Sequence, residues 1–220
     1  MAIYKGYKKI SKIFVGSKEI KKVYKGTQLV YSSGLDLTNE YNLQYALVKG
    51  DITLAEAKKQ GLIVDYEIVT NCQNAFRNDL SLVSVGYVDA SQCTTLYGMY
   101  RGCSNLESIT YIDTSSATSL NYLFENDTLL VDAPICNVSS NLYMGLMFKD
   151  CTSINSVAFY SESVVPKFGS QMFAGSGITT TAGTIYVPDE LLEEWSNATN
   201  WVLYETRFKP LSERAGDLGI

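Results

Sequence analysis

The alternation of apolar and polar residues changes character along the chain, and each change marks a different kind of element. Up to residue 31 the period is two. Ile13, Val15, Val23, Tyr24 and Val30 sit between lysines, and Gly6, Gly16 and Gly26 stand ten residues apart. β-Branched and aromatic runs broken by Gly-Ser and Gly-Thr, which supply the positive φ of tight turns, predict a small β-meander ending at Ser32-Ser33-Gly34. In the connector that follows, Thr53-Leu-Ala-Glu56 has capping-box spacing and Gly61 is a stop, so a short helix is expected, capping the open end of what comes next.

From about residue 70 the period becomes much longer. Phe76, Tyr100, Phe124, Phe148 and Phe173 recur at intervals of 24, 24, 24 and 25 residues. Each follows Ala75, Met99, Leu123, Met147 or Met172. Six positions on stand Leu82, Leu106, Leu130 and Ile154, nine on Val85, Ile109, Ala133 and Val157, and eleven on Tyr87, Tyr111, Ile135 and Phe159. This L-x-x-L-x-L spacing predicts one short strand per repeat with alternate side chains in a shared core, and Tyr87, Tyr111 and Phe159 are read as a single core column. The intervening positions, Ser84, Ser108, Thr110, Asp132 and Ser156 with Gly86, Pro134 and Ala158, are expected to form a flat outward face suited to a protein or glycan partner.

The expected fold class is mainly β: a leucine-rich-repeat solenoid of about five 24-residue repeats, with a small N-terminal β-meander and short capping helices. The segments run 1–34 (meander), 35–69 (connector and helix), 70–187 (repeats) and 188–220 (C-terminal cap). In the cap, Gly183–Pro188 reads as a closing strand and Asp189–Trp195 as a helix whose Leu191, Leu192 and Trp195 seal the stack.

Charge sharpens the first segment. The net charge is −5, yet residues 1–31 hold eight lysines and one glutamate, which leaves −12 for the remainder. The lysines alternate with apolar residues, as the solvent face of strands would, so Lys8, Lys9, Lys12, Lys18, Lys21, Lys22 and Lys25 are candidate docking residues for an acidic protein partner rather than for nucleic acid. No apolar run approaches a bilayer span, and Met1–Ile10 has no apolar signal core, so neither membrane insertion nor secretion is expected.

Candidate chemistry is sparse. The chain has no histidine, which removes Ser-His-Asp and Cys-His catalysis, and it has no P-loop, G-x-G-x-x-G or H-E-x-x-H motif. Glu193 and Glu194 are adjacent helix positions and diverge too far to flank one sugar. The five cysteines, odd in number and without a CxxC, are read as reduced core residues. Cys103 and Cys151 share a repeat position with Asp127 between them, two repeats apart and beyond bonding distance. No catalytic, cofactor or metal site is expected, and the chain reads as a non-enzymatic scaffold or binding protein.

Three phrases carry a resemblance: Met99-Tyr-Arg-Gly-Cys-Ser-Asn-Leu-Glu-Ser-Ile109, Leu123-Phe-Glu-Asn-Asp-Thr-Leu-Leu130 and Met147-Phe-Lys-Asp-Cys-Thr-Ser-Ile154. About half of the chain resembles the BspA-like surface leucine-rich-repeat family, with Tyr100 and Ala133-Pro-Ile-Cys136 as departures. The segment Ile20–Tyr31 resembles small β modules that begin structural proteins of tailed bacteriophages. Together these resemblances imply a virion protein assembled in the host cytoplasm, a head or tail fibre or decoration. It would contact other virion proteins and a host surface glycan or protein, and fibres of this kind are often homo-oligomers. A BspA-like bacterial surface adhesin is the alternative they imply.

Overall fold

A computed structural model describes residues 13–15, 18–20, 22–25, 28–32, 37, 40–139, 143–180 and 183–214. The chain forms two compact units, Met1–Asp65 and Tyr66–Ile220, and each is described by itself.

In the first unit, β1 (Ile13–Val15) pairs antiparallel with β2 (Lys18–Ile20), and β3 (Lys22–Lys25) with β4 (Gln28–Ser32). The closing pairs are Val15 with Lys18 and Lys25 with Gln28, so two residues separate each pair of strands. The single meander is thereby corrected to two separate two-stranded hairpins, because β2 does not pair with β3. Gly6 lies outside the described residues. Helix α1 (Glu40–Lys49), unforeseen in the sequence, buries Leu43, Ala46 and Leu47 at i, i+3 and i+4. Helix α2 (Leu54–Lys59) is capped as expected: Thr53 Oγ1 accepts from Glu56 N–H at 3.1 Å, and Gly61, at φ +69°, ends it.

The second unit is built on one seven-stranded sheet, all of whose pairings are parallel. Its strands are β5 (Tyr66–Ile68), β6 (Ser84–Asp89), β7 (Ser108–Ile112), β8 (Asp132–Asn137), β9 (Ser156–Tyr160), β10 (Thr184–Val187) and β11 (Phe208–Pro210), in spatial order of sequence. The connector therefore ends at Asp65 rather than residue 69, since Tyr66–Ile68 pair with Tyr87–Asp89. A short helix α3 (Gly177–Thr180) precedes β10.

Opposite the strands, the segments around the aromatic anchors are joined to one another by backbone hydrogen bonds. Phe76 N–H donates to Met99 O (2.9 Å), Tyr100 to Leu123 O (3.0 Å), Phe124 to Met147 O (2.9 Å) and Phe148 to Met172 O (2.9 Å). The anchor rings stack with centroids 5.3 to 5.9 Å apart, from Phe76 through Tyr100, Phe124 and Phe148 to Phe173. Two residues either side of each anchor the backbone is left-handed. On one side these are Asn74, Gly98, Tyr122, Leu146 and Gln171, and on the other Asn78, Gly102, Asn126, Asp150 and Gly175. These paired reversals bend the chain around each anchor, and Gly and Asn hold six of the ten sites because they tolerate that conformation.

The strand columns correct one core assignment. Ser156 pairs with Asp132 at a spacing of 24, but Ala158 pairs with Ile135 and Phe159 with Cys136, because β8 carries an irregularity between Asp132 and Ile135. Pro134, which has no N–H to give the ladder, sits there. Phe159 thus joins the core with Cys136, Ile112 and Val88. Tyr87 pairs with Tyr111, which is buried as expected of a core residue, while Tyr87 at the start of the file is half-buried.

A second correction concerns the cysteines. Cys72 and Cys93 form a disulfide, with Cα atoms 6.0 Å apart. They occupy different repeat positions, four before Phe76 and seven before Tyr100, so the 24-residue spacing does not pair them. Cys103, Cys136 and Cys151 are free and buried, as expected of core residues.

The far end is sealed by α4 (Leu192–Asn197), which follows a 3-10 turn at Asp189–Leu191, and by a 3-10 segment at Trp201–Arg207. Trp195 stacks on Phe159 at 5.6 Å, and Trp201 Nε1 donates to Pro166 O at 2.7 Å. The cap thus ends in the aromatic core that the sequence assigned to Trp195.

Candidate functional site

Of the candidate docking lysines, Lys8, Lys9, Lys12 and Lys21 lie outside the described residues. Lys18 falls on β2, and Lys22 and Lys25 on β3.

The candidate outward face is brought together in register: Ser84 pairs with Ser108, Ser108 with Asp132, Asp132 with Ser156, and Ser156 with Thr184. Ser84 and Ser108 are exposed, and Thr110 and Asp132 half-buried. Ser156 is buried and donates its hydroxyl to Asp132 Oδ1 at 2.6 Å, so it is corrected from an open contact to a structural one. Pro134 and Ala158 are buried too. The cover over this half of the sheet is C-terminal: the 3-10 turn Leu211–Glu213 packs against β9, and the buried Arg214 donates to Ala133 O and lies 6.0 Å from the Tyr186 ring. Among the described residues, the exposed positions of the flat face are Ser84, Gly86 and Ser108, on β6 and β7.

Along the anchor segments the buried polar groups form a ladder. Cys103 donates its thiol to Phe76 O (2.9 Å) and Cys151 to Phe124 O (2.8 Å), each reaching back to the preceding repeat. Burial pushes the Cys103 thiol up to about 12 and the Cys151 thiol well above its usual value, so neither is a nucleophile at neutral pH. Asp127, fully buried in the same column, has its carboxyl pushed up to about 9 by burial, offset in part by the backbone N–H groups of Cys103 and Gly102. It is a neutral acid at pH 7. No group of three or more His, Cys, Asp or Glu side chains able to hold a metal occurs among the described residues.

A different surface, missed in the sequence, is assembled on the anchor segments themselves. The residue after each anchor is Arg77, Arg101, Glu125 or Lys149 in the first four repeats. Glu125 is buried between its neighbours: Arg101 Nε lies 2.5 Å from Oε2 and Lys149 Nζ 3.6 Å from Oε1, while Lys149 also meets Asp150 at 2.6 Å. Arg101 stands 4.8 Å over the Tyr122 ring, which packs on Tyr97 at 5.0 Å. Beside Tyr122, Asn121 opens onto a groove of about 350 Å³ lined also by Tyr143, Gly145, Lys167, Phe168 and Ser170. The Asn121 carboxamide oxygen accepts from Gly145 N–H at 2.6 Å, leaving its NH₂ group as a donor, and Tyr143 is 71% exposed. The recurrence of a cation after three of the five anchors was the signal available in the sequence.

Residues 67–181 match the family described as Mycoplasma protein of unknown function, DUF285, over more than half of the chain. The chain belongs to this family. The DUF285 stretch begins within β5 and ends just past α3, so it takes in all five anchors, the cationic positions and the groove. The closing strands and the C-terminal cover over β8 and β9 lie beyond the DUF285 residues. No curated protein and no solved structure matches the chain. Among the described residues no helix is long and apolar enough to cross a membrane.

Proposed function

We propose that this protein is a non-catalytic display protein of a bacteriophage virion, in which the second unit is a leucine-rich-type solenoid presented to a host surface. The observation that carries the reading is the repeat-to-repeat bonding. Each anchor segment is tied to the next by backbone hydrogen bonds and a stacked ring, and the buried thiols of Cys103 and Cys151 are used as rungs of the same ladder. Such a stack gives a rigid, extended surface whose stability comes from neighbour contacts, which suits presentation rather than turnover. The lysine-rich N-terminal hairpins, which resemble phage β modules, supply attachment through strand pairing and charge complementarity with other virion proteins.

A BspA-like bacterial surface protein is the second reading, and the Cys72–Cys93 disulfide favours it, because such bonds persist in oxidising surroundings. Mass spectrometry of purified virions and of the cell-envelope fraction separates the two. Stoichiometric recovery in virions is expected; recovery only in envelopes, with Cys72 and Cys93 resistant to alkylation, replaces the virion reading with the surface protein. Deletion of residues 1–31 is expected to abolish assembly onto particles, and assembly without them rules out the hairpins as the anchor.

A further inference from the structure

We propose that the surface formed by the anchor segments, centred on the groove between Asn121, Tyr143 and Lys167, binds an acidic polysaccharide. This deepens the display reading by naming the chemistry of what is displayed to.

Charge is the first support. Residues 66–220 hold seventeen Asp and Glu but only seven Lys and Arg, so a cation there is uncommon. Four of the seven, Arg77, Arg101, Lys149 and Lys167, fall within the repeats, and the first three each follow an anchor. Backbone pairing sets successive anchor segments side by side, which turns that spacing into a row. Glu125 holds Arg101 and Lys149 in place from a buried position, while Arg77 and Lys167 are exposed and, among the described residues, have no carboxylate within salt-bridge distance.

Shape and polarity are the second. Tyr97, Tyr122 and Tyr143 lie along the same surface, the first two in contact and the third at the groove. An aromatic ring offers a flat apolar face to the C–H side of a sugar, while amide and ammonium donors engage its hydroxyl and acidic groups. The groove supplies all three: the Tyr143 ring, the Asn121 NH₂ group and the Lys167 ammonium. A carboxylated or sulfated chain laid across the repeats places one sugar in the groove with an acidic group on Lys167, and a further acidic group on Arg77 beyond the ion-paired Arg101, Glu125 and Lys149, so that several weak contacts add in one ligand.

The test uses the full chain and isothermal titration with heparin, polygalacturonate, neutral dextran and a single-stranded DNA oligomer. Binding is expected for one or both acidic polysaccharides, weakening as salt rises, and not for dextran. Lys167→Glu, Arg77→Glu and Tyr143→Ala are each expected to weaken it tenfold or more, while Lys59→Glu, the same charge change on α2, leaves it unchanged; circular dichroism confirms that each variant is folded. Absence of binding to both acidic polymers, equal binding of dextran or DNA, or wild-type affinity in Lys167→Glu and Tyr143→Ala overturns the proposal. Recovery in virions without polysaccharide binding removes this site and leaves the display reading, whereas binding with no recovery in virions or envelopes does the reverse.

Discussion

The guanidinium of Arg214 donates to the backbone carbonyl of Ala133, 81 residues earlier in the chain. Both residues are buried, and the contact fastens the C-terminal turn over the β8–β9 half of the sheet. Arg214→Ala leaves that carbonyl without its donor and frees the cover, so it is expected to cost about 1–3 kcal/mol. The urea midpoint measures this, and an unchanged midpoint would show that the cover holds without Arg214.

Asp127 makes stability depend on pH in a direction opposite to that of an ordinary surface carboxylate. Its folded-state value of about 9 lies far above the value near 4 of an unfolded aspartate. The folded chain therefore keeps a proton that the unfolded chain gives up. This contribution is fully present below about pH 4 and is lost as pH rises towards about 9. Asp127→Cys, matching Cys103 and Cys151 in the column, is expected to raise the urea midpoint most at about pH 8 and least at about pH 5. Equal gains at both would refute the assignment.

Backbone strain is concentrated at the left-handed sites filled by ordinary side chains. Gln171 (φ +52°) is exposed, so its side chain contributes little packing. Gln171→Gly is expected to stabilise by about 1 kcal/mol, read as a higher melting temperature. A lower one would mean that its side chain does more than its exposure indicates.

The ring stack predicts a position-dependent cost. Phe124 is fully buried with a ring on each side, and Phe124→Ala is expected to cost about 3–5 kcal/mol. Phe76 begins the stack and is half-buried, so Phe76→Ala should cost clearly less by denaturant titration.

Reduction is expected to act at one end. The Cys72–Cys93 bond closes a loop of 21 residues' separation between the first two repeats, and its loss should cost about 3 kcal/mol. Cys72→Ser and a reducing agent should give the same decrease, without addition when combined.

Legibility in the sequence followed periodicity. The anchors, one strand per repeat, the Thr53 cap and the Trp195 seal all rest on spacing or local chemistry, and the structure contains each of them. Features set by a single long-range contact left no periodic trace. Arg214 reaching Ala133, and Cys72 meeting Cys93 from unequal repeat positions, depend on where the folded chain brings them. The irregularity at Pro134 misled the reading in another way: a column counted at fixed offset moved Tyr87 and Tyr111 into the same file as Phe159, although the actual register shifts by one. The anchor-segment surface was visible only as three cations at one offset, and bonding between adjacent segments was needed to turn that offset into one row, in which Glu125 stands between Arg101 and Lys149.

The uniform 24-residue interval from Phe76 to Phe148, followed by 25 to Phe173, makes length a discrete quantity in this protein. Excising the residues between equivalent points of two neighbouring repeats rejoins a ring to a ring, a donor to an acceptor and a left-handed residue to its counterpart. Removal of half that number joins none of them. The sheet of the second unit is therefore widened or narrowed in steps of about 4.8 Å, the distance between adjacent strands, and gains or losses of coding sequence in whole repeats alter its strand number without altering what each repeat is made of.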